Sequence, residues 1–306
     1  MFEKSVKMVY NIQCIILERS ELMSKIKIAL DSPGDLSLEM AEKNGISILP
    51  IKFSLEDEEE LIKDKVDITD DEFYKKIRET GIIPKTVQIT PIEFEEFYLS
   101  FADSYDELIM ITISANGSGT NRNACMAAEE VKDKIKVHVV DSNLYSYCYG
   151  LMALKAKELA DAGKSAEEIV KEIEKQKDNT VAFFSVETLD YLKKGGRIST
   201  MSAIIGGVLD IRPILTITEE GKVAAIEKTK GEKKMLLKMR DLTKETLADC
   251  DDYELYWLYS DKKDNVEKLV SMLENEGFKF NGSAQVGAVI GCHAGPGVFA
   301  VLMIKK

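Results

Sequence analysis

The sequence predicts an α/β protein in two parts, and three observations predict it. Short apolar runs alternate with amphipathic helical patterns through the first half, the order that builds an open sheet covered by helices. After Lys177-Asp178-Asn179 a hairpin signal enters, Arg212 to Ile217 and Val223 to Lys228 around the turn Glu219-Glu220-Gly221, which calls for antiparallel pairing. A chain of 306 residues also exceeds what one hydrophobic core usually serves. We place the domain boundary near Asp178, giving 25–178 and 179–306, with residues 1–24 as an N-terminal extension. Met23-Ser24-Lys25 would be a natural start, because clear patterning begins only at Lys25.

Taken in order, Ile26 to Leu30 reads as a strand that stops in Asp31-Ser32-Pro33-Gly34-Asp35, followed by a helix from Leu36 to Asn44 with Gly45 as its stop. Ile46 to Phe53 returns to β character, and the acidic run Glu56 to Glu60 reads as a solvated loop. Thr69 with Glu72, Thr90 with Glu93, and Ser165 with Glu168 have capping-box spacing, so each opens a helix. Leu108 to Ile113 and Val137 to Val140 flank a helix from about Thr120 to Lys132, a βαβ unit, and a long helix spans about Tyr145 to Ala162. In the second part, Val181 to Val186 reads as a strand and Thr188 to Lys194 as a short helix. Helices at about Glu232 to Leu247 and Asn265 to Glu276 flank a strand at Glu254 to Tyr259. Two closing strands are expected, Val286 to Gly291 and Val298 to Ile304.

Composition excludes several classes. With 41 basic and 53 acidic residues the net charge is −12, which repels phosphate backbones and anionic lipid surfaces, so no nucleic-acid partner is expected. No run approaches the ~18 apolar residues of a membrane span. The five cysteines, Cys14, Cys125, Cys148, Cys250 and Cys292, are odd in number and form no C-x-x-C pair, the pattern of reduced thiols in a cytoplasmic protein. Two histidines without ligand-spaced partners do not make a zinc site, and His138 inside Val-His-Val-Val reads as a strand residue.

Four stretches could carry chemistry. Ser114-Ala115-Asn116-Gly117-Ser118-Gly119-Thr120 lies between a strand and a helix, where free N–H groups and hydroxyls suit an anion; it reads equally as a tight turn with an N-cap. No G-K-[ST] follows, so a nucleotide P-loop is not supported. Lys85-Thr86-Val87-Gln88 offers a hydroxyl and an amide in a loop. Gly195-Gly196-Arg197 ends a helix and fixes a guanidinium suited to a carboxylate or phosphate, or equally a solvated arginine. Gly291-Cys292-His293-Ala294-Gly295-Pro296-Gly297 sets His293 on a glycine-rich loop at a strand end.

Together these stretches resemble the DegV family, whose better-understood members are fatty-acid-binding subunits of the bacterial fatty acid kinase. The resemblance runs in order from Lys25 to Lys306 through D-S-P-G-D-L at Asp31, P-I at Pro50, D-I-T-D-D-E-F-Y at Asp67, K-T-V-Q at Lys85, I-S-A-N-G-S-G-T at Ile113, V-V-D-S at Val139, T-L-D-Y-L-K-K-G-G-R-I-S at Thr188, R-P-I-L at Arg212 and G-C-H-A-G-P-G at Gly291. It implies an N-terminal three-layer α/β/α domain with a parallel sheet, a C-terminal α/β domain with a mixed sheet, and one long-chain fatty acid buried between them. It implies no cofactor, and a separate ATP-dependent kinase subunit as the protein partner, to which the carboxylate is presented for conversion to an acyl phosphate. The residues implied as ligand-binding are Thr86, Ser114, Ser118, Arg197 and His293, with His293 and Arg197 also assisting phosphoryl transfer. The sequence departs from the family at Val87 and Ala115, where serines are usual, and at Gly117, where an apolar residue is usual.

Two other readings compete. One is a hydrolase using Ser114 or Ser118 with His293, against which stand the lack of a G-x-S-x-G elbow and of an evident carboxylate to orient the imidazole. The other is a binder of a different lipid or small anion, with Val87 and Ala115 marking a changed head group.

Overall fold

The computed structural model describes residues 24–55, 60–197 and 211–306. The N-terminal extension, and most of the acidic run after Leu55, lie outside them. The first half is built on a four-stranded parallel sheet in the order β2-β1-β6-β7, from Ile26–Asp31 (β1), Ser47–Leu49 (β2), Glu107–Thr112 (β6) and Lys136–Asp141 (β7). The strands β1 and β6 are largely buried on both faces because helices cover both, as parallel sheets require. The covering helices are Leu38–Lys43 (α1), Asp70–Thr80 (α2), Pro91–Leu99 (α3), Thr120–Glu130 (α4), Tyr147–Asp161 (α5) and Ala166–Asp178 (α6).

The three capping boxes form as their spacing predicts. Thr69, Thr90 and Ser165 each accept from the backbone N–H three residues on, and the matching glutamate reaches back. Ile46 to Phe53, by contrast, is not one strand. Pro50, which has no N–H to donate, separates β2 from Lys52–Ser54 (β3). The latter joins a small antiparallel sheet with Ile62–Lys63 (β4) and Lys85–Val87 (β5). The stretch expected to be a loop at Lys85 to Gln88 is therefore largely a strand, and pairing with β3 fixes Thr86 opposite Phe53.

The second half is a six-stranded mixed sheet in the order β10-β9-β8-β13-β11-β12. Its strands are Thr180–Ser185 (β8), Ile211–Ile217 (β9), Val223–Lys230 (β10), Tyr253–Tyr259 (β11), Gly282–Gln285 (β12) and Phe299–Lys305 (β13). All pairs are antiparallel except β11 with β12. Its helices are Asp190–Lys194 (α7), Glu232–Leu247 (α8), Asp264–Glu274 (α9) and Ala288–Ala294 (α10).

The last of these corrects the sequence reading. Val286 to Gly291 does not form a strand: the chain leaves β12 at Gln285, Gly287 caps a helix, and His293 falls in that helix's last turn. A short run that is apolar at nearly every position has no period to separate strand from helix, and α10 is apolar because it is packed on several sides. Gly291 lets Tyr74 and Phe73 approach closely, for an added Cβ would sit 2.6 Å from the Tyr74 hydroxyl and 2.7 Å from Phe73.

One apolar cluster belongs to the second domain alone, another lies mostly in the first but takes in Tyr191 of α7 and Ala288, Val289 and Cys292 of α10, and a third runs through both. Leu30, Ile111, Tyr149 and Met152 of the first half and Leu215, Ala300 and Leu302 of the second belong to it, so the two domains share buried surface. Polar contacts register them. Arg78 of α2 donates to Asp261 (2.6 Å) and to both carboxylate oxygens of Glu187 (3.0 and 2.6 Å), and Asp70 accepts from the Ala288 N–H at 3.0 Å.

Candidate lipid-binding site

Between the domains lies a cavity of about 320 Å³, inside the range of ~300–1,000 Å³ usual for small-molecule sites. Ile113 and Cys148 from the first domain face Phe184, Leu192, Ile217 and Leu258 from the second, and Val289 and Ile290 of α10 close one side. This lining offers an apolar chain much to contact and little to hydrogen-bond.

A polar group set into the same wall is tied together by contacts. The Nε2 atom of His293 lies 3.0 Å from Oγ1 of Thr86. Arg197 donates through Nε to the Gly117 carbonyl at 3.1 Å and through Nη1 to the Gly195 carbonyl. Ser118 Oγ is 2.8 Å from Thr120 Oγ1, and the Gln88 amide lies against Gly119, where an added Cβ would be 2.7 Å from its oxygen. Thr86, Gln88, Ser118, Arg197 and His293 all line the cavity.

The glycines here make room for specific neighbours. Gly195 ends α7 and abuts the imidazole, so any side chain there would collide with His293 Nδ1. Gly196 then turns the backbone with φ +74°, a conformation that other residues resist, and Arg197 is aimed at the Gly117 loop.

Burial, followed by the nearby Arg197 charge, lowers the His293 pKa to about 4. The ring is neutral at pH 7 and acts as a hydrogen-bonding group, not as a cation. Among the described residues its Nδ1 is buried without a hydrogen-bond partner.

Of the five sequence-predicted site residues, the structure brings together Thr86, Ser118, Arg197 and His293. Ser114 does not join them. It is fully buried, its Oγ donates to the Gly221 carbonyl at 2.8 Å, and it does not line the cavity. Its task is to receive the β9–β10 hairpin. Asn116 Nδ2 donates to the Glu220 carbonyl (2.7 Å), Asn143 Nδ2 to that of Glu219 (3.3 Å), and the Tyr145 hydroxyl to that of Gly221 (2.8 Å). The S-A-N-G segment thus holds the second domain's hairpin with side-chain donors.

Sequence reasoning missed Tyr145, and Gly117 carried the signal. An added Cβ at Gly117 would overlap the Tyr145 ring and hydroxyl, so the glycine makes room for the phenol.

The hydrolase constellation is not assembled among the described residues. The imidazole meets Thr86 and not a serine, and no carboxylate orients Nδ1, the two contacts a catalytic triad requires. Away from the cavity, Glu107, His138 and Glu167 come within 4.8 Å of one another, a spacing that could hold a metal ion. The Lys136 ammonium already bridges these carboxylates, 3.1 Å from Glu107 and 2.7 Å from Glu167, and His138 Nε2 lies 2.7 Å from Glu107. Among the described residues, no helix is long and apolar enough to cross a membrane.

A parallel-sheet domain joined to a mixed-sheet domain over an apolar cavity with one polar wall defines a class of small-molecule binding protein. A family model described as an uncharacterised protein of the DegV family matches residues 25–306, and the chain belongs to that family. A DegV domain-containing protein of Caldanaerobacter subterraneus is 35% identical over 93% of this chain and 100% of its own length. A DegV family protein from Thermus thermophilus, described by its fatty acid binding, superposes with a TM-score of 0.84 at 32% identity, covering 92% of this chain and 100% of its own. A stearic acid-binding protein from Eubacterium ventriosum superposes with a TM-score of 0.85 at 25% identity, covering 92% and 98%. Members of the family thus bind fatty acids.

Proposed function

We propose that this chain buries the alkyl tail of a long-chain fatty acid in the interdomain cavity and presents its carboxylate, at the polar wall, to a separate ATP-dependent kinase. The protein is then a substrate-presenting subunit and not an enzyme by itself, needs no cofactor, and works in the bacterial cytoplasm, where ATP is available. The observation that carries the reading is the union of an apolar cavity with Thr86, Ser118, Arg197 and His293 on one wall.

The energetics suit the role. Burial gains about 0.8 kcal/mol per CH₂, so the tail supplies most of the binding free energy. The head group needs only orientation by hydroxyls, a neutral imidazole and a guanidinium partly occupied by backbone carbonyls. Such a set holds a carboxylate without removing its nucleophilicity. A carboxylate oxygen attacks the terminal phosphorus of ATP, an acyl C(O)O–P bond forms, the P–O bond to ADP breaks, and ADP leaves. Arg197 and the His293 ring orient the attacking carboxylate and stabilise the negative charge of the phosphoryl group as it arrives.

The test is to load the protein with palmitate and supply a bacterial fatty acid kinase and ATP. Acyl phosphate should form, and more slowly with His293→Ala and Arg197→Ala. Normal loading with full phosphorylation by both variants would remove these roles.

A further inference from the structure

The apolar cavity shares a wall with a second one. The second encloses about 300 Å³, and Gly117, Ser118, Tyr145 and Arg197 line both. A head group held at Ser118 and Arg197 has the acyl chain on one side and this second volume on the other.

The lining of the second cavity is chemically one-sided. Arg197 and Lys222 face it, with Asn116, Ser118 and Tyr145 as hydrogen-bonding neighbours, and among the described residues no carboxylate lines it. In a chain of net charge −12 that is a local reversal of sign. Lys222 follows the hairpin tip whose carbonyls Ser114, Asn116, Asn143 and Tyr145 grip, so the hairpin fixes where its ammonium is based. Glu220, on the same turn, is held below the usual carboxylate range, first by a hydrogen bond from Thr218, and does not line the cavity.

A carboxylate spends its charge at the shared wall and has nothing to place in this volume. A phosphoryl group attached to that carboxylate extends into it and carries up to two negative charges with three acceptor oxygens, for which a paired guanidinium and ammonium are suited. We propose that the second cavity is a subsite for a phosphoryl group borne on the acyl head, and that Lys222 is the residue by which the protein distinguishes a phosphorylated acyl chain from a free fatty acid. The proposal rests on the acyl-chain reading above.

The test compares palmitate with 2-oxoheptadecylphosphonate, a stable analogue of palmitoyl phosphate in which a CH₂ replaces the bridging oxygen, by calorimetric titration of wild type, Lys222→Ala and Lys222→Arg. The Lys222 side chain is exposed and the turn uses its backbone, the N–H donating to Thr218 Oγ1 at 3.3 Å and the carbonyl accepting from the Thr218 N–H at 2.8 Å, so thermal melts should show all three equally folded. Lys222→Ala should weaken phosphonate binding about tenfold and palmitate binding less than twofold, with Lys222→Arg restoring the difference. Equal losses for both probes, or an unchanged phosphonate affinity, would overturn the subsite, as would a loss confined to ATP binding, which would assign the cavity to a nucleotide. Wild type that takes palmitate but not phosphonate refutes the subsite alone. Wild type that takes neither refutes the fatty-acid reading beneath it.

Discussion

His293 Nε2 and Thr86 Oγ1 meet at 3.0 Å across 207 residues of chain, one on the last turn of α10 and the other on β5. The contact joins the two domains at the polar wall of the cavity. Both atoms face the place where a ligand head group would sit, so each should contribute about one hydrogen bond to its orientation. Thr86→Val is expected to weaken palmitate binding by about 1 kcal/mol, some fivefold, leaving the melting temperature nearly unchanged. Titration calorimetry checks this, and an unaltered affinity would show that the hydroxyl serves only the imidazole.

The low pKa of His293 makes a prediction about pH. The unfolded ring has a pKa near 6.5, the folded one about 4, so the unfolded state binds the extra proton first as pH falls. Above pH ~6.5 the residue adds nothing to the pH dependence of stability, and between pH ~6.5 and ~4 it subtracts progressively, by about 3 kcal/mol at most. His293→Gln should therefore lose less stability than wild type between pH 7 and pH 4.5 in urea titrations. In NMR, the His293 ring of wild type should hold the neutral chemical shift from pH 8 to pH 5. A ring titrating near pH 6.5 would contradict the burial and the Arg197 contribution alike.

Gly117 and Tyr145 should behave as a pair. Gly117→Leu places atoms where the phenol lies and should cost about 1–3 kcal/mol by overpacking. Combined with Tyr145→Ala the penalty should shrink, although the hydrogen bond to the Gly221 carbonyl is then lost. A double-mutant cycle on melting temperatures checks the coupling, and strict additivity would mean that the two residues do not exclude one another.

These residues also show what a sequence can and cannot reveal. Helix starts were legible because a capping box is local: Thr69 with Glu72, Thr90 with Glu93, and Ser165 with Glu168 need only a spacing of three. The hairpin at Glu219-Glu220-Gly221 was legible for the same reason, and Gly221 has the positive φ, +71°, that its turn requires. Motif order through the resemblance pointed to Thr86, Ser118, Arg197 and His293. The role of Ser114 was hidden because its partner is a backbone carbonyl 107 residues away. The helix holding His293 was hidden because Ala288 to Cys292 is apolar at nearly every position and has no period.

Arg78 is predicted to hold the domains in register. It is partly exposed, yet its three donors meet Asp261 and Glu187 on the other domain in a geometry a lysine cannot match. Arg78→Lys should destabilise by about 1–2 kcal/mol and Arg78→Met by somewhat more, with the loss reduced in saturating fatty acid, because a buried tail bridges the same two domains. Thermal melts with and without palmitate check both parts.

The account's central claim is that the interdomain cavity holds a fatty acid. Native mass spectrometry of the purified protein, followed by denaturing extraction, tests it most directly. The account predicts a mass excess equal to one fatty acid, released on denaturation and replaceable by added palmitate. Protein that is empty on repeated purification and takes up no fatty acid on addition would contradict it.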